Sequence, residues 1–268
     1  MNSKIIALIA CRRTGSNYLM KVLDSFANME FFGEVYHNQS VWMPISRKME
    51  YVQWLKDNSD IEVKIGKKPH EDSELVEINH QYPQHFLNFV AASTKYKYTG
   101  FKIFPEHLRW HKLKRHILAD EDIIKVILKR NPLDVYISDR ILEMTKRSQQ
   151  HDTSQVKVNI DCVDFKAWYF DTMSFYSRIE LYLHETCQKY LELSYEELHG
   201  HDNDDEKISF LQSWLSQNGI ETEDKPKIAK FTKRQDKRKN PLAKIQNDRE
   251  FEKCLQENNL QHLIHSGV

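Results

Sequence analysis

The residues best suited to chemistry lie in a short polar loop near the start of the chain, residues 11–17 (CRRTGSN). The loop follows an apolar run and precedes a stretch with helical spacing. Gly15 lets the backbone bend close to a ligand, and the N-terminus of a helix offers free N–H groups with a partial positive charge. Arg13, Thr14 and Ser16 add side-chain donors. This composition indicates a loop that binds a phosphate-type anion, although an ordinary strand–helix turn with exposed arginines has the same composition.

A second candidate anion site lies in residues 129–138 (KRNPLDVYIS). Arg130 comes two residues after the apolar run at residues 123–128. Asn131 and Pro132 are typical of a helix N-cap and first helical position, so Ser138 is expected about two turns into a helix. An arginine with a nearby hydroxyl suits a phosphate monoester, which accepts several hydrogen bonds at once. A capped helix start with a surface arginine is the alternative interpretation.

Apolar runs that alternate with helical patterns must position these loops. Strands are predicted at residues 5–10, 98–104, 123–128 and 190–193, and helices at 131–146 and 165–183, with further helices around 208–215 and 251–255. Such alternation predicts a single-domain α/β fold with an open parallel sheet flanked by helices, in which ligands bind at the carboxyl ends of the strands. Residues 35–95 have the least regular pattern and are predicted to be an insertion that shapes an acceptor site.

Composition excludes several classes of protein. The 39 basic residues balance the 39 acidic residues, so no net field favours nucleic acid or an anionic membrane. No apolar run approaches the roughly 20 residues of a membrane helix, and the run at residues 5–10 is shorter than a signal-peptide core. The cysteines are far apart without a CxxC pair: Cys11, Cys162, Cys187 and Cys254. We therefore expect free thiols and a cytoplasmic location.

Three segments resemble, in order, the motifs of the PAPS-dependent sulfotransferase family, which transfers the sulfuryl group of 3′-phosphoadenosine 5′-phosphosulfate (PAPS). RTGSN at 13–17 resembles the loop that binds the 5′ sulfate-phosphate end of PAPS, and RNPLDVYIS at 130–138 is similar to the 3′-phosphate motif. LSYEEL at 193–198 is similar to a YEDL-like segment that follows a later strand. The resemblance implies a P-loop-like fold, PAPS as the donor with PAP as the product, no metal, and a small-molecule or glycan acceptor.

The resemblance also implies roles for individual residues. Arg13 would stabilise charge on the departing phosphate. The 5′-phosphate would be held by Thr14, Gly15, Ser16 and Asn17. The 3′-phosphate would be held by Arg130 and Ser138, and Tyr195 would contact the adenine.

The residue that takes the acceptor proton separates two types within the family. Cytosolic members use a histidine in a KTH segment at a strand end, and here Phe104 stands in that place, two residues after Lys102. Bacterial and Golgi carbohydrate-type members use a glutamate shortly after the first helix, as in FGEVY at 32–36. By this resemblance Glu34 is the general base, Lys102 supports the sulfuryl group, and His37 is the reserve candidate for the base. A solvated loop acid and a strand-end lysine that extends into solvent are the alternatives.

A basic segment lies late in the chain, in residues 225–239 of a predicted basic loop at 225–245. The family often closes over the 3′-phosphate with such a loop, which makes Arg234 and Arg238 candidates for this contact. A solvated basic surface and a binding site for an anionic acceptor such as a glycan are the alternatives. His107 and His111 are spaced as metal ligands on a helix are, but the basic residues around them would repel a dication, so no metal site is predicted.

Two other functions compete with sulfuryl transfer. A P-loop-like kinase of nucleotides or small molecules would need GxxxxGK[ST] and ligands for Mg²⁺, and the first loop lacks that pattern. A non-catalytic module could keep the fold and bind the nucleotide without turnover. The identity of the acceptor, which by analogy is a carbohydrate or glycolipid, and the oligomeric state are not specified by these residues.

Overall fold

The computed structural model describes residues 3–65, 72–146, 152–223, 238 and 240–265. Its centre is a five-stranded sheet with the strand order β2-β3-β1-β4-β5, in which every neighbouring pair is parallel. The strands are β1 Lys4–Ala10, β2 Met29–Phe31, β3 Tyr98–Ile103, β4 Ile123–Lys129 and β5 Tyr190–Ser194. The predicted α/β fold with a parallel sheet flanked by helices is therefore confirmed.

Helices cover both faces of this sheet. They are α1 Ser16–Leu23, α2 Ile45–Ser59, α3 Ser73–Gln81, α4 Pro83–Ser93, α5 Trp110–Leu113 with a π-helical turn Lys114–Leu118, α6 Pro132–Thr145, α7 Cys162–Glu185, α8 Tyr195–His199, α9 Asp204–Gln217 and α10 Asp248–Glu257. Ala7 and Ile9 of β1 pack into a core that includes residues of α2, α3, α4 and α7, whereas Ile6 and Leu8 pack into a core with α1 and α9. Because β1 is buried on both faces, its sequence is continuously apolar. Among the described residues no helix has the length and apolar character needed to cross a membrane.

The described part of residues 35–95, whose sequence pattern is the least regular of the chain, contains α2, α3 and α4. Tyr51 and Leu55 of α2 and Phe86 and Val90 of α4 are spaced i, i+4 and are fully buried. Apolar residues such as Trp54 and Phe89 also lie between these pairs, so the buried face of each helix does not stand out as a clean period in the sequence. The prediction that this segment shapes an acceptor site stays a prediction.

The start of α6 forms as the sequence predicts. The side chain of Asn131 accepts a hydrogen bond from the Leu133 N–H at 2.9 Å, and Pro132 occupies the first helical position. This cap fixes the direction in which α6 leaves β4, and it places Arg130 and Ser138 on neighbouring parts of one strand–helix connection.

The expectation that all cysteines are free thiols is wrong for two of them, because Cys162 and Cys254 form a disulfide. α7 and α10 pack together through Phe165 and Phe251, whose rings are 5.2 Å apart, and this packing brings the two Cα atoms to 6.2 Å. The cysteines are 92 residues apart in the chain, so no short spacing pattern marks them as a pair. Disulfides persist mainly in oxidising compartments, and the cytoplasmic prediction therefore loses the support it took from free thiols.

Candidate active site

The fold brings the predicted site residues to one edge of the sheet, where the strands have their carboxyl ends. Glu34 follows β2, Lys102 lies in the last half of β3, Arg13 follows β1, Arg130 follows β4 and Tyr195 follows β5. Because the strand order is β2-β3-β1-β4-β5, these residues lie along the edge in that same order. Residues that are distant in the sequence therefore form one continuous row, at the edge where open α/β sheets bind ligands.

The first loop is tightly folded around a left-handed turn. Gly15 has a φ of 85° and is the N-cap of α1, and Arg13 also has a positive φ of 67°. The Thr14 hydroxyl donates to the Cys11 carbonyl oxygen at 2.7 Å, so this hydroxyl is engaged within the loop. A Cβ at Gly15 would lie 2.6 Å from the Tyr195 ring. Only glycine therefore fits both the backbone conformation and the space at this position.

The second loop contacts the first directly. One guanidinium nitrogen of Arg130, Nη1, donates to the Arg13 carbonyl oxygen at 2.9 Å, and the guanidinium lies 4.1 Å from the centre of the Tyr195 ring. The buried Nε of Arg130 finds no hydrogen-bond partner among the described residues. Arg13 donates from its own Nε to the Ser138 hydroxyl at 3.1 Å. The two loops thus form one surface of hydrogen-bond donors, with a buried donor left to satisfy.

The electrostatics of this surface favour a bound anion. Burial lowers the pKa of Arg13, the carboxylate of Asp139 raises it, and the charges of Arg130 and Arg12 lower it further. A cation whose charged form is disfavoured by burial and by like charges is stabilised when a negative group binds next to it. A perturbed arginine at a strand end is also typical of a functional site.

Glu34 and Lys102 form a second group of charges at the other end of the row. The Lys102 ammonium donates to Glu34 Oε1 at 3.1 Å and also to the side-chain oxygen of Asn17 at the start of α1. Lys102 is only 2% exposed, which excludes the alternative of a lysine that extends into solvent. The contact with Asn17 connects the Glu34 group to the first loop, because Asn17 is two residues after Gly15.

Burial and the neighbouring charged groups set the pKa values of Glu34 and Lys102. Burial raises the pKa of Glu34, but the neighbouring His107 and the Lys102 ammonium outweigh this effect and hold the pKa at about 2. Burial lowers the pKa of Lys102, and Glu34 partly offsets that shift. Glu34 is therefore ionised over the whole physiological range, which meets the first requirement of a group that accepts a proton.

The structure adds His107 to this group, which sequence reasoning considered only as a metal ligand paired with His111. His107 is fully buried, and its Nε2 lies 3.6 Å from Glu34 Oε2. Its ring is 5.7 Å from that of His37, the reserve candidate, whose Nδ1 accepts from the Gln39 N–H at 3.1 Å. The sequence feature that could have identified His107 is its position four residues after the end of β3, near the edge where the other site residues lie.

Two adjoining cavities open between the strand ends, α6 and α7. The first, of about 210 Å³, is lined by Cys11, Arg12, Pro105, Glu106, Val135, Asp139, Trp168, Asp171 and Thr172. The second, of about 200 Å³, shares four of these residues and is also lined by Thr14, Arg130 and Asn131. The two cavities therefore place an acidic, indole-lined space next to the donors of the two loops.

The remaining predicted contacts are less direct. Arg238 donates from its guanidinium to the carbonyl oxygens of Thr153, Val156 and Ala243, so it holds three backbone segments together. Arg234 lies outside the described residues. Tyr195 lies against Gly15 and Arg130, and its contact with an adenine stays a prediction. In the described part of the chain no group of three or more His, Cys, Asp or Glu side chains is placed to hold a metal ion.

Comparisons with known proteins place few limits on this site. No protein-family model matches the chain, and no curated protein matches it in sequence. Among solved structures the chain is similar to a sulfotransferase from Alicyclobacillus acidocaldarius, with 11% identity over 99% of this chain and 96% of the other and a TM-score of 0.47. A likeness of this size carries no inference about activity, so the function must be argued from the geometry above.

Proposed function

We propose that this chain is a PAPS-dependent sulfotransferase that moves the sulfuryl group of PAPS onto a hydroxyl of an acceptor. The observation that carries the proposal is the contact between the two candidate anion loops, in which Arg130 donates to the Arg13 carbonyl oxygen at 2.9 Å. A nucleotide with phosphates at both its 5′ and 3′ positions needs two adjacent anion sites, and a surface shared by the two loops suits such a ligand. Two loops that opened onto different faces of the protein would have argued against it.

The residues present fit this donor. The unpartnered Nε of Arg130 and the Ser138 hydroxyl suit the 3′-phosphate, because a phosphate oxygen is a strong acceptor for a charged donor. The turn at residues 14–17 leads into α1 and suits the 5′-phosphate through backbone N–H groups and the positive end of the helix. Thr14 and Ser16 are buried, and the Thr14 hydroxyl is already engaged with the Cys11 carbonyl oxygen, so this part of the contact is assigned to the backbone N–H groups.

The chemistry follows from where the charges lie. PAPS supplies an activated sulfuryl group, whose bond to the 5′-phosphate oxygen breaks while a bond to the acceptor oxygen forms. Arg13 stabilises the negative charge that the phosphate oxygen receives with the electron pair. Lys102 stabilises the oxygens of the sulfuryl group, and Glu34 accepts the proton of the acceptor hydroxyl. Transfer of this kind depends mainly on positioning and on fixed cations, which these residues supply.

The acidic cavity supports an acceptor rich in hydroxyl groups. Carboxylates accept hydrogen bonds from hydroxyls, and Glu106, Asp139 and Asp171 all line the cavity. Trp168 adds an apolar surface on the same side. These carboxylates lie in a cavity that Glu34 and Lys102 do not line. We therefore assign the acceptor to the carbohydrate or glycolipid class mainly from the resemblance to glutamate-base sulfotransferases, with no metal taking part.

Binding of PAP tests the donor site. We expect PAP to raise the melting temperature and ATP with Mg²⁺ to have no effect; the opposite result favours a kinase. Arg130→Met should weaken PAP binding by about 10–100-fold, the size of a lost charged hydrogen bond. Arg249→Met is the matched control, because Arg249 is an exposed arginine of α10.

Transfer tests the activity itself. Sulfur-labelled PAPS is incubated with the protein and a panel of glycans, glycolipids and phenols, and labelled product is measured. Glu34→Gln should keep PAP binding and lose transfer, because an amide cannot accept the proton. Retained transfer in this variant excludes Glu34 as the base. PAP binding without transfer to any acceptor favours a non-catalytic binding module.

A further inference from the structure

His107 is a buried titratable residue to which the reaction outlined above gives no role. It lies in a turn after β3, where its backbone N–H donates to the Phe104 carbonyl oxygen at 3.1 Å. Its ring packs against Phe104 with the centroids 4.9 Å apart and also contacts His37. A buried side chain packed on two rings has little freedom to rotate, so the direction of its nitrogens is fixed.

The hydrogen bonds of the ring determine where its proton lies. Nδ1 accepts from the Phe104 N–H at 3.1 Å, so Nδ1 carries no proton. The proton of the imidazole is therefore on Nε2, which has no hydrogen-bond partner in the described structure and faces Glu34 Oε2 at 3.6 Å. Because one nitrogen is occupied by a donor and the other carries the proton, His107 cannot take a proton from an acceptor in this geometry.

The two oxygens of the Glu34 carboxylate are thus approached from two sides. Lys102 donates to Oε1 at 3.1 Å, and the Nε2–H of His107 points at Oε2 from a distance slightly longer than a hydrogen bond. The two donors come from β3 and from the turn that follows it, so one element of the sheet defines the orientation of the carboxylate. A shift of well under one ångström would convert the His107 approach into a hydrogen bond.

We propose that His107 is a positioning residue that orients the Glu34 carboxylate through its Nε2–H. The consequence for catalysis rests on the proposed function, in which Glu34 accepts the acceptor proton. The orienting contact itself does not depend on that function. The charged and titratable groups around Glu34 are Lys102 on β3, His107 in the following turn, and His37 in the loop after β2, with the Arg12–Glu106 pair acting on His37 from the neighbouring strand ends.

Two conservative substitutions separate an orienting role from a purely structural one. The amide oxygen of His107→Asn can accept from the Phe104 N–H, as Nδ1 does, but the side chain is too short to reach Glu34. His107→Gln extends an N–H donor to the position of Nε2 and keeps the approach to Glu34 Oε2. We expect the Asn variant to lose about 10-fold or more in kcat, with KM for PAPS and PAP binding unchanged, because misplaced catalytic groups cost rates of this order. The Gln variant should retain activity within about threefold, since the contact is preserved.

The reverse ranking, in which Asn matches the wild type and Gln is impaired, overturns the proposal and assigns His107 a structural role in the turn. Melting temperatures of both variants identify losses that come from unfolding. Transfer is measured on the acceptor that the labelled-PAPS panel identifies.

Nuclear magnetic resonance decides the orienting contact independently of activity. In the wild type we expect the ¹⁵N shifts of His107 to show a protonated Nε2 and an unprotonated Nδ1. Titration of the Glu34 side-chain ¹³C signal should give a higher pKa in His107→Asn than in the wild type, and an unchanged pKa in His107→Gln. Equal pKa values in all three proteins overturn the proposal. A wild type that neither binds PAP nor transfers sulfate contradicts the proposed function and leaves this second readout valid.

Discussion

Replacement of Lys102 by Met should raise the pKa of Glu34. Met keeps much of the volume of the lysine stem and removes the charge that lies 3.1 Å from Glu34 Oε1. Two unit charges at that distance interact by about 5 kcal/mol at an effective dielectric constant of about 20, which corresponds to an upper limit of about 4 pKa units. Glu34 is partly exposed, which reduces the effect, so we expect a rise of about 2–3 units from the value of about 2.

The lowered pKa of Glu34 also makes the free energy of unfolding depend on pH. The folded pKa of Glu34 lies at about 2 and its ordinary value is 4.5. A depressed pKa stabilises the fold above the ordinary value, and this contribution is lost as the pH falls from 4.5 to about 2. At 1.36 kcal/mol per pKa unit the contribution is about 3 kcal/mol. In Lys102→Met this loss in acid should largely disappear.

The assay is a ¹³C titration of the Glu34 carboxyl together with urea unfolding at several pH values. Lys125→Met is the matched control, because Lys125 is a buried lysine of β4, which β1 separates from β3, and it donates to Gln188 rather than to Glu34. The control should leave the pKa of Glu34 unchanged. A Glu34 pKa that stays at about 2 in Lys102→Met refutes the argument that the Lys102 ammonium lowers it and leaves His107 as the cause.

Two further predictions concern the loop and the disulfide. Gly15→Ala should destabilise the protein by about 1–3 kcal/mol and abolish PAP binding, because the added Cβ meets the Tyr195 ring and the φ is left-handed. Urea unfolding measures the stability and calorimetry measures PAP binding; binding at wild-type affinity would contradict the assigned role of the turn. Replacement of Cys162 and Cys254 together by Ser should lower the free energy of unfolding by about 2–4 kcal/mol. Replacement of the exposed Cys187 by Ser should leave stability unchanged, and equal stability of all three proteins shows that the disulfide does not form.

Local signals made the strand–helix connections predictable. Gly15 at a turn, and Asn131 with Pro132 at a helix start, act through backbone conformation and capping, which depend on neighbours in the sequence. The apolar runs of β1 and β4, the latter interrupted by Lys125, reflect strands buried on both faces, so they are recognisable without an alignment. The sheet edge at which Arg13 and Arg130 meet then follows from the parallel topology.

Contacts between distant segments were not predictable in the same way. The burial of Lys102 depends on Glu34 and Asn17, which come from other elements, and a lysine at a strand end is more often exposed. The role of His107 depends on which nitrogen faces Phe104, and no sequence pattern contains that information. Strand β2 has three residues, too few for an alternating pattern to appear.

Positive and neutralised charges lie at different places along the sheet edge. The whole chain has no net charge, yet Arg12, Arg13 and Arg130 gather at the ends of the two central strands β1 and β4. Lys102, one strand away, is already neutralised by Glu34, whereas the buried Nε of Arg130 has no acceptor in the described structure. An anion is therefore stabilised most between β1 and β4, and the Glu34 carboxylate lies beyond β3. In the proposed reaction, the sulfuryl group would move from the anion held at the arginines past Lys102 toward an acceptor oxygen beside Glu34.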